Sequence, residues 1–387
     1  MKILQVHNFY KIGGGEDTVV ANEKELLEQN GHEVITYYRN NSEIDKFNLI
    51  NKVKLLKDTT YSTQTAEEIS AILNKEKPDV CHVHNFLPLI SPAVYKACKK
   101  QQIPVIQTLH NYRLICTNGI LFKDGKICEK CLNKSSYNAV KFNCYRNSKI
   151  QTFAVARMLE KHKKRKTWNN DVTTYICLTQ FAKQKFIAHG LPKNKLIVKG
   201  NFIPTPAVFE KNNTAPYFVY VGRLEPDKGL RTIMEIAPKS PFPIQLIGEG
   251  SLTDELRKIK NIEVLGKQPY QKVLELISSA KALLFASLWY EGMPMTIIEA
   301  FASHTTVIAS DSGAMASMIR HQLNGLLFEP GNAIALLSEM KKIVADSNLS
   351  IKLSTVAYQD YLELYSPESN YRQLMDIYAL TIANKKV

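Results

Sequence analysis

Two acids stand eight positions apart in the segment Tyr290-Glu291-Gly292-Met293-Pro294-Met295-Thr296-Ile297-Ile298-Glu299. A carboxylate accepts paired hydrogen bonds from vicinal hydroxyls, so two at this spacing can grip a sugar and a ribose. Between them, Pro294 suits the first turn of a helix, where its missing N–H is not needed. Gly292 lets the backbone approach a ligand closely. With Met293 and Pro294 it leads into a helix start that offers unpaired N–H groups and partial positive charge to a diphosphate. The plain alternative is a surface acid at Glu299 and a helix-dipole partner at Glu291.

A second group, Val221-Gly222-Arg223-Leu224-Glu225-Pro226-Asp227-Lys228-Gly229, follows an apolar strand directly. Arg223 and Lys228 are two cations that can neutralise charge growing on a departing diphosphate. A solvated charged turn is the competing reading. A third group, Lys11-Ile12-Gly13-Gly14-Gly15-Glu16-Asp17, lies between a strand and a helix. Backbone N–H groups of Gly13, Gly14 and Gly15 can cradle phosphate there. The run is not G-x-G-x-x-G and no Walker lysine follows, so a tight turn also explains it. His110, in Gln107-Thr108-Leu109-His110-Asn111, ends a strand, where it serves either a ligand or the backbone; His84 reads as structural.

Seven cysteines are an odd count in a chain with no secretory signal at its start, which favours reduced thiols or a metal over a disulfide framework. Cys128 and Cys131 have the C-x2-C spacing of a metal knuckle, and Cys116 and Cys144 flank them. Four thiolates suit a tetrahedral structural zinc; four unrelated thiols are the alternative. Cys81, Cys98 and Cys177 read as core.

The formal net charge is +14. Such an excess attracts anions. The basic run Lys161 to Lys166 follows the apolar residues Phe153, Val155, Met158 and Leu159 and precedes Trp168, a pattern suited to a membrane interface. No nucleic-acid motif is present and no stretch has transmembrane length. The expected location is cytoplasmic, with peripheral contact on the inner face of the membrane.

These groups need elements to position them. Apolar strands at Ile3–His7, Glu33–Tyr38, Val80–His84 and Pro104–Leu109 alternate with helices at Thr18–Gly31 and Thr65–Glu76. The alternation restarts at Tyr217–Val221 and continues through Ile244–Ile247, Glu263–Leu265, Ala282–Phe285 and Thr306–Ala309. Strands separated by helices predict parallel sheets covered on both faces. The predicted fold is therefore α/β, with two Rossmann-like doubly wound domains and a ligand cleft at the C-terminal ends of the strands. Pro, Asn and Lys accumulate over 200–215 and mark the boundary.

The three groups, in this order, resemble the retaining glycosyltransferases of family 4, whose GT-B fold sets two Rossmann-like domains face to face across a cleft. The resemblance covers nearly the whole chain. It implies an N-terminal acceptor-side domain over 1–205 with a Cys-bearing insert at 115–146, and a nucleotide-sugar-binding domain over 206–365. A C-terminal helix, 366–387, is expected to pack back on the first domain. By the same resemblance Arg223 and Lys228 hold the donor diphosphate, Glu291 contacts the donor sugar and Glu299 the ribose. Gly13 to Gly15 approach the donor phosphate, and His110 contacts the donor sugar. Two features depart from the family: Asp311 to Ser317 has one Gly and no Glu where Gly-Gly-x-x-Glu is common, and Ala286-Ser287 replaces Pro-Ser.

The implied reaction moves a sugar from a nucleotide-diphosphate donor to a saccharide or lipid-linked acceptor, with the donor's anomeric configuration kept, in bacterial surface polysaccharide synthesis. Protein cations replace a catalytic metal in that scheme, so no cofactor is expected beyond the candidate zinc. A nucleotide-sugar epimerase of the same fold, which converts donor without acceptor, and a non-catalytic sugar-binding protein are the alternatives.

Overall fold

The computed structural model describes residues 1–11, 13–206 and 216–384. Ile12 of the glycine-rich loop, 207–215 of the expected boundary and 385–387 of the C-terminal segment lie outside the described residues. The chain divides into two compact units. One takes Met1–Leu121, Cys128–Gly200 and the chain from Asn370; the other takes Phe122–Ile127 and Asn201–Ser369.

The first unit is built on strands β1 (Lys2–Phe9), β2 (Glu33–Asn40), β3 (Val80–Val83) and β4 (Val105–Leu109). A short antiparallel hairpin, β5 (Phe122–Lys123) and β6 (Lys126–Ile127), follows in sequence, and then β7 (Thr174–Cys177) and β8 (Leu196–Val198). The sheet order is β2-β1-β3-β4-β7-β8, and every pairing in it is parallel. Strand order reverses between β1 and β3, so the loops after these two strands flank a switch point. Ile3, Val80, Ile106 and Ile176 line one face of this sheet and bury against Leu27, Leu374, Ile377 and Tyr378. The last three lie on the helix Pro367–Ala383. Each such side chain contributes about 1.5–3 kcal/mol when fully buried.

The second unit repeats the plan with β9 (Phe218–Val221), β10 (Ile244–Ile247), β11 (Ile262–Gly266), β12 (Ala282–Phe285), β13 (Val307–Ser310) and β14 (Leu326–Phe328). The order is β11-β10-β9-β12-β13-β14, again all parallel. Here the reversal falls between β9 and β12, which pair directly. The core joins Phe218, Leu246 and Leu284 to Leu230, Ile233 and Leu336.

Three local features differ from the sequence expectation. The first helix begins at Gly15, three residues before Thr18, because Asp17 in its first turn accepts from Gly14 N at 3.2 Å and secures the earlier start. Pro294 precedes its helix, which runs Met295–Ala302; with ψ at 110° the proline is extended and acts as the cap residue. The helix Lys149–Lys164 carries most of the basic run; of the apolar residues before it Val155, Met158 and Leu159 face the core, as does Trp168, while Phe153 is exposed.

Candidate active site

In the second unit the loops after β9 and β12 meet at the switch point. Leu288 N donates to Asp227 O at 3.0 Å, tying one loop to the other. Gly229 adopts φ +73°, and a Cβ there would lie 1.8 Å from Ala286 O. Only glycine lets the two loops approach this closely. Gly248 plays the same part beside them, since its Cβ would fall 2.0 Å from Gly222 O.

The approach brings Lys228 to Glu291. Lys228 Nζ lies 2.7 Å from Glu291 Oε1, and their side chains are 16% and 9% exposed. Ser287 Oγ donates to the same oxygen at 2.7 Å. The ammonium also sits 4.9 Å from the centre of the Trp289 ring, within cation–π range. Arg223 is mostly exposed, with one nitrogen 3.5 Å from Asp227 Oδ2, and its carbonyl accepts from the Tyr220 hydroxyl at 2.9 Å. One cation is thus held in a largely buried pair, and the other stands mostly exposed beside an acid.

Glu299 lies on the helix Met295–Ala302, 8% exposed. Burial raises its carboxyl to about 7. The approach to this helix is held by Met293, whose sulphur accepts from Asn201 N at 3.1 Å. Met293 and Pro294 are buried and Gly292 is half-buried. The structure therefore gathers Gly222, Arg223, Lys228, Glu291 and the Gly292–Pro294 approach on one pair of linked loops, with Glu299 on the following helix. Ser287, Trp289 and Asp227 complete the arrangement; from sequence Ser287 stood out only as a departure from the family's Pro-Ser, and none of the three had a role at the site.

In the first unit Gly13, Gly14 and Gly15 are exposed before and at the helix start. Asp17 fixes this loop from below: Oδ2 accepts from Gly14 N, and Oδ1 lies 2.8 Å from His7 Nε2. Beside it, Glu16 accepts from the Tyr10 hydroxyl at 3.2 Å and from Asn111 Nδ2 at 3.4 Å. Burial, reinforced by Asp17, raises the Glu16 carboxyl to about 8. This acid was also missed.

His110 follows β4 and is buried. Its Nε2 lies 3.0 Å from His84 Nδ1. His84 Nε2 in turn lies 3.1 Å from Glu23 Oε1, and His82 Nδ1 lies 3.0 Å from the same oxygen. Oε1 makes no aligned hydrogen bond with either ring, so the attraction is electrostatic. Burial pushes Glu23 up, but His82 and His84 outweigh it and hold the carboxyl well below the usual range. Burial lowers His84 to about 4 and sends His110 well below the ordinary histidine value. Both rings are therefore neutral near pH 7.

A neutral His84 presents its N–H toward the carboxylate, which leaves Nδ1 to accept from His110 Nε2–H. Gln5 Nε2, 3.4 Å from His84 Nε2, competes for that nitrogen. A full charge at 3.1 Å outweighs a neutral amide at 3.4 Å. These tautomers are inferred from the network. They leave His110 Nδ1 as an acceptor for a hydroxyl. Glu23, His82 and His84 each place a ligand-capable atom within 4.8 Å of the others, which also fits a metal. Protein groups already serve them: Lys199 Nζ lies 3.8 Å from Glu23 Oε2, and Tyr378 and Thr108 hydroxyls lie 2.8 and 2.7 Å from His82.

Two all-parallel six-stranded sheets, each carrying charged loops at its switch point, define a two-domain α/β architecture of the GT-B class. Among solved structures, Anabaena HepE in complex with UDP shares this fold at a TM-score of 0.66 and 16% identity, over 98% of this chain and 100% of that one. Residues 13–205 match the family described as Glycosyltransferase Family 4, and residues 203–360 match Glycosyl transferases group 1. The chain belongs to the group 1 glycosyltransferases of family 4 type and is a sugar-transferring enzyme. Its relatives include an uncharacterized glycosyltransferase of Methanocaldococcus jannaschii, 23% identical over 99% of both chains. Another is the poly(ribitol-phosphate) alpha-N-acetylglucosaminyltransferase of Staphylococcus aureus, 22% identical over 91% of this chain and 75% of the relative.

Proposed function

We propose that this enzyme transfers a sugar, with retention of anomeric configuration, from a nucleotide-diphosphate donor to a saccharide or lipid-linked acceptor in surface polysaccharide synthesis. The observation that carries the reading is the Lys228–Glu291 pair at the β9/β12 switch point, with the mostly exposed Arg223 beside it. A diphosphate arriving there meets two cations and a helix N-terminus. Glu291, released from Lys228, is then available to the donor sugar, and Glu299 to the ribose. In the step itself the anomeric C–O bond to the diphosphate breaks, and the acceptor oxygen bonds to the anomeric carbon on the same face. The departing diphosphate takes the acceptor's proton. Lys228 and Arg223 stabilise the negative charge that grows on the leaving oxygen.

The UDP bound to Anabaena HepE and the N-acetylglucosaminyl transfer named for the Staphylococcus relative favour a UDP-linked sugar as the first donor to try. The acceptor side is argued from the helix Leu49–Asp58. Leu49, Ile50 and Val53 are 81%, 77% and 67% exposed on it, and Lys52, Lys54 and Lys57 accompany them. Apolar side chains standing in water among lysines suit an anionic lipid surface. No helix among the described residues is long and apolar enough to cross a membrane.

The test is a screen of nucleotide sugars for thermal stabilisation, followed by turnover of the best donor and NMR of the product's anomeric proton. A stabilising donor and a product of unchanged configuration are expected. Inverted product, or conversion of donor to its epimer without acceptor, would overturn the reading. For the membrane, sedimentation with phosphatidylglycerol vesicles should fall severalfold in a Leu49→Ser, Ile50→Ser, Val53→Ser variant; unchanged sedimentation contradicts it.

A further inference from the structure

Two arginines of the first unit meet around one aromatic ring. Arg113 follows β4, and Arg146 ends the long segment that comes after it. Both guanidinium groups lie over the ring of Tyr145, 5.0 and 5.3 Å from its centre. Either contact alone is ordinary cation–π stacking. Together they gather two like charges, which repel. Among the described residues neither arginine has a carboxylate within ion-pair distance. The acids of the neighbourhood are engaged elsewhere: Asp124 meets Lys123 at 3.3 Å, Glu129 pairs with Lys185, and Glu160 accepts from the Ser136 amide. The four cysteines of the segment are half-buried, and among the described residues they are not in a group close enough to share a metal ion.

The two side chains are held in place differently. Arg113 is half-buried; its Nη1 donates to Thr117 O, and its guanidinium packs against Gly119, where a Cβ would come within 2.9 Å of Cζ. Tyr145 is anchored by its backbone, since its N donates to Thr152 Oγ1 at 3.0 Å and its O accepts from Ser148 N at 3.1 Å. Arg146 is exposed and makes no hydrogen bond to the protein among the described residues. Asn111 ties the group to the loop after β1. Its Oδ1 accepts from Arg113 N at 3.0 Å, and its Nδ2 reaches the Tyr10 hydroxyl and Glu16 Oε2, each at 3.4 Å. Arg113 therefore stands at the C-terminal edge of the sheet, where open α/β sheets take ligands. Glu16, the acid that Asn111 brings close, is raised to about 8 chiefly by burial and is largely protonated near pH 7, so it leaves the arginine charge uncompensated.

We infer that Arg113 and Arg146, gathered around Tyr145, bind the phosphate of a phosphorylated acceptor. A guanidinium is a planar fork that takes two oxygens of a phosphate at once. Two forks suit the several oxygens and multiple charge of a phosphate or diphosphate, whereas a carboxylate fills only one. The bound anion also relieves the repulsion between the two cations. The phosphate belongs to a saccharide or to a lipid-linked diphosphate; what the arginines recognise is the same in both. The role of the site in holding an acceptor rests on the transferase reading above, but the binding of an anion there does not.

The test is calorimetric titration of inorganic pyrophosphate into the full chain and its variants. Pyrophosphate should bind at the arginine pair besides any that binds at the donor loops. Arg146→Ala removes an exposed side chain that the fold does not use, and should weaken the first of these by about tenfold. Arg113→Lys, which keeps the charge and loses the fork, should weaken it severalfold. Lys164→Ala, which takes an exposed charge from the basic run, should change nothing. Binding that disappears only in Arg223→Ala, Lys228→Ala belongs to the donor loops; if that is all the binding there is, this inference fails and the donor reading stands. Equal losses from Arg146→Ala and Lys164→Ala mean diffuse attraction to a basic surface and also overturn it. Geranyl diphosphate and glucose 1-phosphate distinguish the two sources, by which of them loses more affinity in Arg146→Ala. Glucuronate that loses as much affinity in that variant as either phosphate overturns the assignment to phosphate.

Discussion

Lys228 Nζ and Glu291 Oε1, 63 residues apart in sequence, stand 2.7 Å apart at the junction of two loops. The pair holds a cation and an acid in mutual contact, with side chains only 16% and 9% exposed. Removing one partner strands the other in a mostly buried setting. Lys228→Ala should therefore lower kcat/KM by about a hundredfold or more. Because the stranded carboxylate is costly, it should also destabilise the unliganded fold by about 3 kcal/mol. Urea unfolding together with steady-state kinetics measures both, and a variant with normal kinetics contradicts the role.

Glu299 gives a pH dependence. Its carboxyl rises from 4.5 to about 7 on folding, through burial. The folded state therefore holds the proton more tightly than the unfolded chain. Stability from this group is complete below the unfolded value and is lost as pH rises through the folded one. Glu299→Gln should thus unfold at higher urea than the parent near pH 8, by about 3 kcal/mol, and match it near pH 4. Equal stability of the two chains near pH 8 would refute this.

The same carboxyl must be ionised to accept two ribose hydroxyls. Affinity for a nucleoside diphosphate should rise severalfold between about pH 6 and pH 8, and the rise should vanish in Glu299→Gln. Calorimetric titration at several pH values reads this out.

The line from Glu23 through His84 to His110 predicts a tautomer. Nitrogen-15 spectra of histidine-labelled protein should show His110 neutral with its proton on Nε2. Glu23→Gln should mix the two tautomers and lower kcat about tenfold with little change in donor KM. Tyr378→Phe, which touches His82 in the same cluster, should leave the His110 signal alone. A proton on His110 Nδ1 in the parent chain is incompatible with the proposed line.

Gly229→Ala tests the loop contact. With 1.8 Å between its Cβ and Ala286 O, the β9 and β12 loops must part. Donor affinity should drop at least tenfold, as Lys228 and Glu291 separate, and thermal stability should fall with it.

Much of this was legible in the sequence because strands of a doubly wound sheet are apolar and their C-terminal loops are not. Val221 runs into Gly222-Arg223, and Phe285 into Ala286-Ser287, so the candidate loops announced themselves. What could not be read was pairing. Nothing local tells Lys228 that Glu291 is its neighbour; that follows from β9 lying beside β12 in the sheet. Strands β8 and β14, three residues each, give too little alternation to distinguish a buried strand from any apolar run; β7 and the hairpin strands β5 and β6 were missed as well. Glu23 was hidden for the opposite reason. It sits on the buried face of its helix with Val19, Val20, Leu26 and Leu27, where His82, His84 and Lys199 make an acid tolerable.

The central claim is that fixed positive charge at the β9/β12 junction holds a diphosphate. The direct measurement is calorimetric titration of a nucleoside diphosphate against its monophosphate, on the parent chain and on Arg223→Ala, Lys228→Ala. The parent should bind the diphosphate at least tenfold more tightly, and the double variant should bind both alike. If the double variant keeps the parent's preference for the diphosphate, the charge that seats it lies elsewhere and the account fails.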